Sequence, residues 1–326
     1  MFLFISLVVM SLCLAACGEG NNTGSTSNAS GSNTSDKATT GTETPGVATE
    51  RTLTDPLGHE VKVPVNPERI IASYLEDYLV TLGVKPVAQW SVANGIQDYL
   101  QNELTGIPTI PYDMPYEVVA SHNPDLIIMG SSNTIEGDKY AQYAKIAPTY
   151  VLGDEINNDW RKALLKVGEI LDKSKEAQKA LDDYDAKAAE AKAKIQKVTG
   201  GTKSAAAIWL INKKFFIVGD NVSSGSVLYQ DLGVTVPESV KKISNSKANW
   251  NPISLEEMAQ MDADYIFLIN SDQADGAEAL QDAVWKSIPA VANGDVFQFD
   301  KTSTWLYYGA TANSQTIDNI VNSIVK

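Results

Sequence analysis

PYEVVASHNPDLIIMG, residues Pro115 to Gly130, and SLEEMAQMDADYIFLI, residues Ser254 to Ile269, align without a gap. Glu117 falls on Glu256, Ala120 on Ala259, Asp125 on Asp264 and Ile127 on Ile266. In each copy a glutamate opens a short amphipathic stretch, and eight residues later an aspartate begins an unbroken apolar run. That order reads as helix, turn and buried strand. Buried strands reached through helices belong to parallel α/β sheets. The copies lie about 140 residues apart, each at a corresponding place in its half of the chain, so they predict two α/β lobes of similar build.

Around the first copy, strand and helix alternate. Apolar and polar residues alternate about the Pro56-Leu57-Gly58 turn, Ile70 to Ala72 reads as a buried strand, and Tyr74 to Leu82 reads as a helix stopped by Gly83. Val87 to Trp90, Leu126 to Met129 and Thr149 to Leu152 are further strands. Around the second copy, Ala205 to Ile211, Phe215 to Val218 and Val296 to Phe299 read as strands, and Gly225 to Leu232 and Thr311 to Val325 as helices. Between the lobes, Lys173 to Thr199 contains no Gly or Pro, and Ala177, Leu181, Tyr184, Ala188, Ala191, Ile195 and Val198 recur at three- and four-residue steps. A helix of that length is about 38 Å long, enough to cross from one lobe to the other. Its apolar positions are mostly alanine, which disfavours a coiled coil.

The expected organisation is an N-terminal leader over residues 1–17, a tether over 18–50, a first lobe over 51–160, a helical segment over 161–200 and a second lobe over 201–326. Met1 to Ala16 is apolar and too short for a stable bilayer span, and it ends in Leu14-Ala15-Ala16-Cys17. Gly18 to Glu50 is almost free of apolar side chains and cannot bury enough surface to offset the entropy of ordering. Such a coil spans about 30 Å root-mean-square. The net charge of −14 argues against nucleic acid and bare anionic lipid as partners, because both would repel the chain, and it also suits a simply soluble surface. Its only cysteines are Cys13 and Cys17, so a chain cleaved before Cys17 holds no disulfide.

Small residues before Cys17 resemble a lipobox, with cleavage before the cysteine and diacylglyceryl transfer to its sulfur; the departure is that no Lys or Arg precedes it. Together with this leader and tether, PERIIASYLEDYLVTLGVKPVA, EVVASHNPDLIIMG, YAKIAPTYV, the single long helix, ISLEEMAQMDADYIFLI and WKSIPAVANGDVFQFD resemble the iron-siderophore substrate-binding lipoproteins of Gram-positive ABC importers. The resemblance implies an α/β fold of the siderophore and cobalamin periplasmic-binding type: two lobes joined by one rigid helix, the ligand in the cleft between them. It implies a monomer on the outer face of the cell membrane, no enzymatic activity, no cofactor, and an ABC permease with a cytoplasmic ATPase as partner. Iron arrives already chelated, so the protein supplies no metal ligand. Glu117 and Glu256 stand where such proteins carry the glutamate of each lobe that docks into an arginine pocket of a permease subunit, and Glu257 serves as the control.

Loops beyond the strand carboxyl ends carry the ligand contacts in such folds. Here they hold Tyr74, Trp90, Ser131, Asn133, Trp209, Lys213, Asn221, Ser223, Ser224, Trp250, Trp305 and Tyr307. Trp90, Trp209, Trp250 and Trp305 are four of six tryptophans and suggest an aromatic-lined pocket. Arg51, Arg69 and Arg161 are the only arginines, none in a predicted cleft loop. Anionic ferric catecholates and citrate complexes call for guanidinium forks, whereas neutral or cationic ferric hydroxamates do not. The stretch GDNVSSGSVLYQDLG resembles that of hydroxamate binders, although these carry Trp and Arg where Val222 and Ser224 stand, and Lys213 or Lys214 remains a partner for an anion. A ferric hydroxamate is the favoured ligand; another iron chelate, haem or cobalamin is the alternative. A zinc or manganese receptor would need more histidines than His59 and His122. A lipid-anchored hydrolase would need a nucleophile motif, and Gly-x-Ser-x-Gly, HExxH and the P-loop are all missing from the sequence.

Overall fold

The computed structural model describes residues 49–325 apart from 94, 244, 245, 247 and 273–275, with the backbone alone described at 276 and 277. Cys17 and the tether up to residue 48 lie outside the described residues. The chain opens with an antiparallel hairpin of β1 (Glu50–Thr54) and β2 (Glu60–Pro64). Asp55 shapes its turn by accepting the N–H groups of Leu57 and His59 at 3.0 and 2.9 Å. His59 is bonded to Asp55 at 2.8 Å and stacks on Tyr140 at 3.5 Å, which is a packing role.

The first lobe holds β3 (Ile70–Ile71), β4 (Gln89–Ser91), β5 (Thr109–Pro111), β6 (Leu126–Met129) and β7 (Thr149–Val151). All their pairings are parallel: β3–β6–β7 form one ladder, β4–β5 another, and a parallel bridge from Ile71 to Ala88 links them. Strand alternation divides the core. Ile70, Leu126, Ile128 and Tyr150 face the core shared with the helices, while Ile71, Ile127, Met129 and Val151 pack with Val119 and Tyr143 on the other side.

The second lobe's sheet runs in the order β10 (Trp250–Ile253), β9 (Lys214–Val218), β8 (Ala205–Ile211), β11 (Tyr265–Asn270), β12 (Val296–Asp300). β8, β11 and β12 are parallel, whereas β9 and β10 are antiparallel to their neighbours, so this sheet is mixed where a purely parallel one was expected. Asn212 and Lys213 turn the chain in the left-handed region, at φ 50° and 60°. Asp272 holds that turn by accepting both of their N–H groups at 2.6 Å. β10 contains Pro252, tolerated because the strand is at an edge.

The long helix runs Ser174–Thr199 and ends on Gly200 at φ 66°. Ala177, Leu181, Tyr184, Ala188, Ala191 and Ile195 of the expected stripe are buried, but Val198 is 53% exposed because the helix has run past the core. It packs on the helix Trp160–Ile170 and the C-terminal helix Ala310–Ile324. The helix after β9 begins at Ser223–Gly225 and widens to a π turn at Ser226–Asp231. A Cβ on Gly225 would lie 1.8 Å from the Gly219 carbonyl oxygen, so only glycine permits this approach.

Candidate ligand-binding cleft

Loops from the carboxyl ends of both lobes' strands meet across a groove of about 490 Å³. Asn158, Asp159, Trp160 and Arg161 form one wall, Asn221, Val222, Ser223, Ser226, Gln230 and Asn249 the other, with Tyr308 beside them. The first wall exists because Asp159 caps the helix Trp160–Ile170, its Oδ1 accepting the N–H groups of Arg161 and Lys162 at 3.1 and 3.2 Å. A second hollow of about 410 Å³ is lined by Ser91, Val92, Gly95, Ile96, Asp98 and Thr109 together with Lys301 and Thr302.

An aromatic ridge connects the two hollows. The Tyr74 ring lies 4.9 Å from Trp90 and 6.3 Å from each of Tyr307 and Tyr308, and Tyr307 lies 5.0 Å from Tyr99. Tyr307 Oη donates to the Ile96 carbonyl at 3.2 Å, tying the second lobe to the first. On the second lobe, Trp209 lies 5.7 Å from Phe216 and 5.9 Å from Trp250, and its Nε1 donates to Ser271 Oγ at 2.8 Å.

Two buried carboxylates hold this arrangement from behind. Both come from the first turn of the helix Glu76–Thr81. Glu76 Oε1 accepts the Trp90 N–H at 2.6 Å, and burial pushes its carboxyl up to about 8. Asp77 accepts the N–H groups of Thr311 and Ala312 at 3.1 and 2.9 Å, capping the C-terminal helix across the lobe boundary, and also takes Tyr99 Oη at 3.1 Å. Burial raises Asp77 to about 6, opposed by those hydrogen bonds. A Cβ on Gly309, at φ 141°, would sit 2.2 Å from Asp77 Oδ1, so the carboxylate and the helix entry fit together only through glycine.

Of the residues expected at the cleft, Asn221 and Ser223 line the groove, Tyr74, Trp90 and Tyr307 form the ridge, and Trp209 and Trp250 form the second lobe's aromatic cluster. Ser131 and Asn133 follow β6, where Ser131 Oγ donates to Asp154 at 2.5 Å and Asn133 is exposed. Three expectations need correction. Trp305 is fully buried, stacked on Phe267 at 4.8 Å with Phe299 at 5.2 Å, because its backbone leaves the strand end with the ring turned into the core. Ser224 is buried under the helix start. Lys213 pairs with Glu278 at 2.9 Å and lines a separate hollow of about 520 Å³ beside Glu256 and Glu257.

Asn158, Asp159, Arg161, Gln230, Asn249 and Tyr308 went unread in the sequence. The capping pattern Asp159-Trp160 was the available signal for the first three. Arg161 lies in the groove after all, but its Nη2 is engaged by Asp231 at 2.9 Å and Asp185 at 3.1 Å, with its guanidinium 4.4 Å over Trp160. Arg51 donates to the Glu169 and Ile170 carbonyls at the end of the helix Trp160–Ile170, and Arg69 to the Asn123 carbonyl.

Glu117 and Glu256 are both exposed and both occupy the second position of a short helix, Tyr116–Ser121 and Leu255–Ala259. Neither caps its helix. In the second copy Ser254 and Glu257 do so reciprocally, Ser254 N–H reaching Glu257 Oε2 at 2.9 Å and Glu257 N–H reaching Ser254 Oγ at 3.2 Å. Those bonds, with the Ser254 hydroxyl, hold the Glu257 carboxyl below its ordinary range.

Two α/β lobes facing across a polar, aromatic-flanked groove, spanned by one long helix, define a bilobal solute-binding protein. The sequence matches the family described as periplasmic binding protein over residues 72–302, and the chain belongs to that family. It is 31% identical to an iron(3+)-hydroxamate-binding protein, FhuD, of Bacillus subtilis, over 91% of this chain and 89% of that one. A second such protein of the same organism, YxeB, is 25% identical over 98% of this chain and 95% of its own. Among solved structures, an FhuD fold-family component of a ferrichrome ABC transporter from B. subtilis superposes with a TM-score of 0.70 at 25% identity, covering 84% of this chain and all of that one. Among the described residues no helix is long and apolar enough to cross a membrane.

Proposed function

We propose that this protein captures a ferric siderophore outside the cell, with a ferric hydroxamate as its ligand, and delivers it to an ABC importer while anchored through a lipid on Cys17. The observation that carries the ligand class is the state of Arg161, the one guanidinium on the described groove wall, which is already engaged by Asp231 and Asp185. An anionic catecholate or citrate complex would have to compete with Asp231 and Asp185 for its charge. Neutral amides and hydroxyls at Asn158, Asn221, Ser223, Ser226, Gln230 and Asn249 suit the carbonyl and amide groups of a hydroxamate. The ridge and the Trp209–Trp250 pair offer apolar faces to its linkers. The relatives named for iron(3+)-hydroxamate binding support the same reading. Ligand is bound and released unchanged, with the iron held by the siderophore and none by the protein.

Delivery runs through Glu117 and Glu256. Two carboxylates held apart on one rigid body steer the encounter and set its register. The test is uptake of iron-labelled hydroxamate by cells carrying Glu117→Ala with Glu256→Ala. Uptake falls at least about tenfold while ligand affinity of the purified protein is kept, as expected when docking charges rather than cleft groups are removed. Lost affinity would show that these residues serve the ligand instead, and intact uptake would remove them from docking.

A further inference from the structure

We propose that Arg161 is a positioning residue of the groove, a clasp that ties the first wall to the π turn Ser226–Asp231 through Asp231 and so sets the spacing of the two walls. This deepens the hydroxamate reading and rests on the groove being the ligand site. Arg161 stands in the first turn of the helix Trp160–Ile170 on one wall, and Asp231 closes the π turn whose Ser226 and Gln230 line the other. Arg161 Nη2 donates to Asp231 Oδ1 at 2.9 Å, and Tyr184 Oη of the long helix donates to Asp231 Oδ2 at 2.7 Å. One carboxylate thereby joins three elements, with one oxygen for each of the other two. Stacking fixes the approach of the cation. The guanidinium lies 4.4 Å over the Trp160 ring and 5.2 Å from the Tyr184 ring, and those two rings meet edge to face at 4.8 Å.

The π turn gives the clasp something to hold. The Leu232 N–H bonds to the Val227 carbonyl at 3.0 Å, five residues back where an α-helix would reach four. A widened turn of this kind is rare, and tertiary contacts rather than helix propensity keep it in place. The Asp231 side chain is 10% exposed against 62% for Asp185. Water largely screens the pair with Asp185, so the pair with Asp231 carries the hold. A ligand that drew Arg161 away would leave the Asp231 carboxylate buried with Tyr184 as its remaining partner, and a buried acid without its cation is costly. The clasp therefore stays shut when ligand enters, and Arg161 shapes the groove without giving its charge to the chelate.

The deciding experiment measures the affinity and the dissociation rate of one ferric trihydroxamate on the unaltered protein, on Arg161→Met, on Asp231→Asn and on the double variant, under conditions where each is folded. Arg161→Met removes the charge and the planar fork, while Asp231→Asn keeps the shape and removes the charge. Each single variant binds about tenfold more weakly, chiefly through faster dissociation, and the double variant binds no more weakly than either, because both changes undo one contact. The sign of the Asp231→Asn effect separates a clasp from a ligand contact. If Arg161 meets the chelate directly, Asp231→Asn releases it toward the ligand and affinity holds or rises; that result overturns the assignment. Losses that add in the double variant overturn it as well, since two independent contacts would be at work. Should Arg161→Met fail to fold, Arg161→Lys keeps the charge without the fork, and the clasp predicts a loss of about threefold or more, with unchanged affinity overturning it. Failure of the unaltered protein to bind the trihydroxamate overturns the hydroxamate reading and this assignment with it, whereas equal binding by all four proteins overturns the clasp alone.

Discussion

The two lobes meet the groove with different means. The first lobe buries two carboxylates, Glu76 and Asp77, behind its aromatic wall and uses them to hold Trp90 and the entry of the C-terminal helix. The second lobe puts no acid in that role: Trp209 and Trp250 lean on each other and on Phe216, with a single hydroxyl, Ser271, fixing the indole. A buried carboxyl group held by hydrogen bonds fixes orientation at a cost in desolvation, while an aromatic cluster is held by area and tolerates adjustment. The contrast predicts a rigid first wall and a second wall that adjusts to a ligand.

The largest expected break in this contrast is Asp77→Ala. It strands the Thr311 and Ala312 N–H groups and the Tyr99 hydroxyl and empties the space that Gly309 leaves for the carboxylate. Leaving buried donors unpaired costs about 1–3 kcal/mol each, read as the change in denaturant midpoint at constant m. Trp209→Ala, its counterpart on the other wall, should lower ligand affinity more than stability. Equal stability losses in both variants would erase the distinction between the walls.

A smaller effect sharpens it. The Glu76 carboxyl has an ordinary value of 4.5 and is raised to about 8 in the folded protein, chiefly by burial. The folded state therefore holds this proton more tightly than the unfolded chain, so the contribution is fully present below about 4.5 and is lost as pH rises through about 8. Asp77, raised from 3.8 to about 6, acts in the same direction over its own lower window. Stability measured from pH 5 to 9 should fall less steeply in Glu76→Gln than in the unaltered protein. An unchanged slope would mean that Glu76 is not the buried acid it is taken to be.

The smallest effect concerns the repeated motif. Glu257→Ala removes half of the capping box and should lower the melting temperature by about 2 °C with uptake retained, because Glu256 beside it is the outward carboxylate. A loss of uptake matching that of the Glu117 and Glu256 variant would assign docking to the pair rather than to one residue.

Much of the fold was legible because hydrophobic period survives tertiary context. The run Leu126–Met129 is a buried strand as read, Ala205–Ile211 is a strand to the residue, and the long helix begins one residue after its expected start. Chain reversal was not legible: Ile211 and Lys214 are joined by Asn212 and Lys213 rather than by a glycine turn, and Pro252 disguised β10. A strand-end rule picked out Tyr74 and Trp90, which pack together on the ridge, and Asn221, which lines the groove, but also Trp305, which is buried, since position along the chain does not say which way a ring turns. Glu76 and Asp77 lie in the first turn of a helix, a place where acids are commonly solvated, and only their neighbours across the fold reveal the burial.

We propose that the groove takes an iron chelate that brings no carboxylate or catecholate charge to neutralise. Quenching of tryptophan fluorescence reads it, because Trp160 lines the groove and Trp90 stands on the aromatic ridge. Titrating with a ferric trihydroxamate, a ferric catecholate, ferric citrate and free zinc should give saturable, tight quenching by the hydroxamate. Tighter quenching by the catecholate or the citrate complex would contradict it, and would mean that Arg161 leaves Asp231 and Asp185 to meet the ligand.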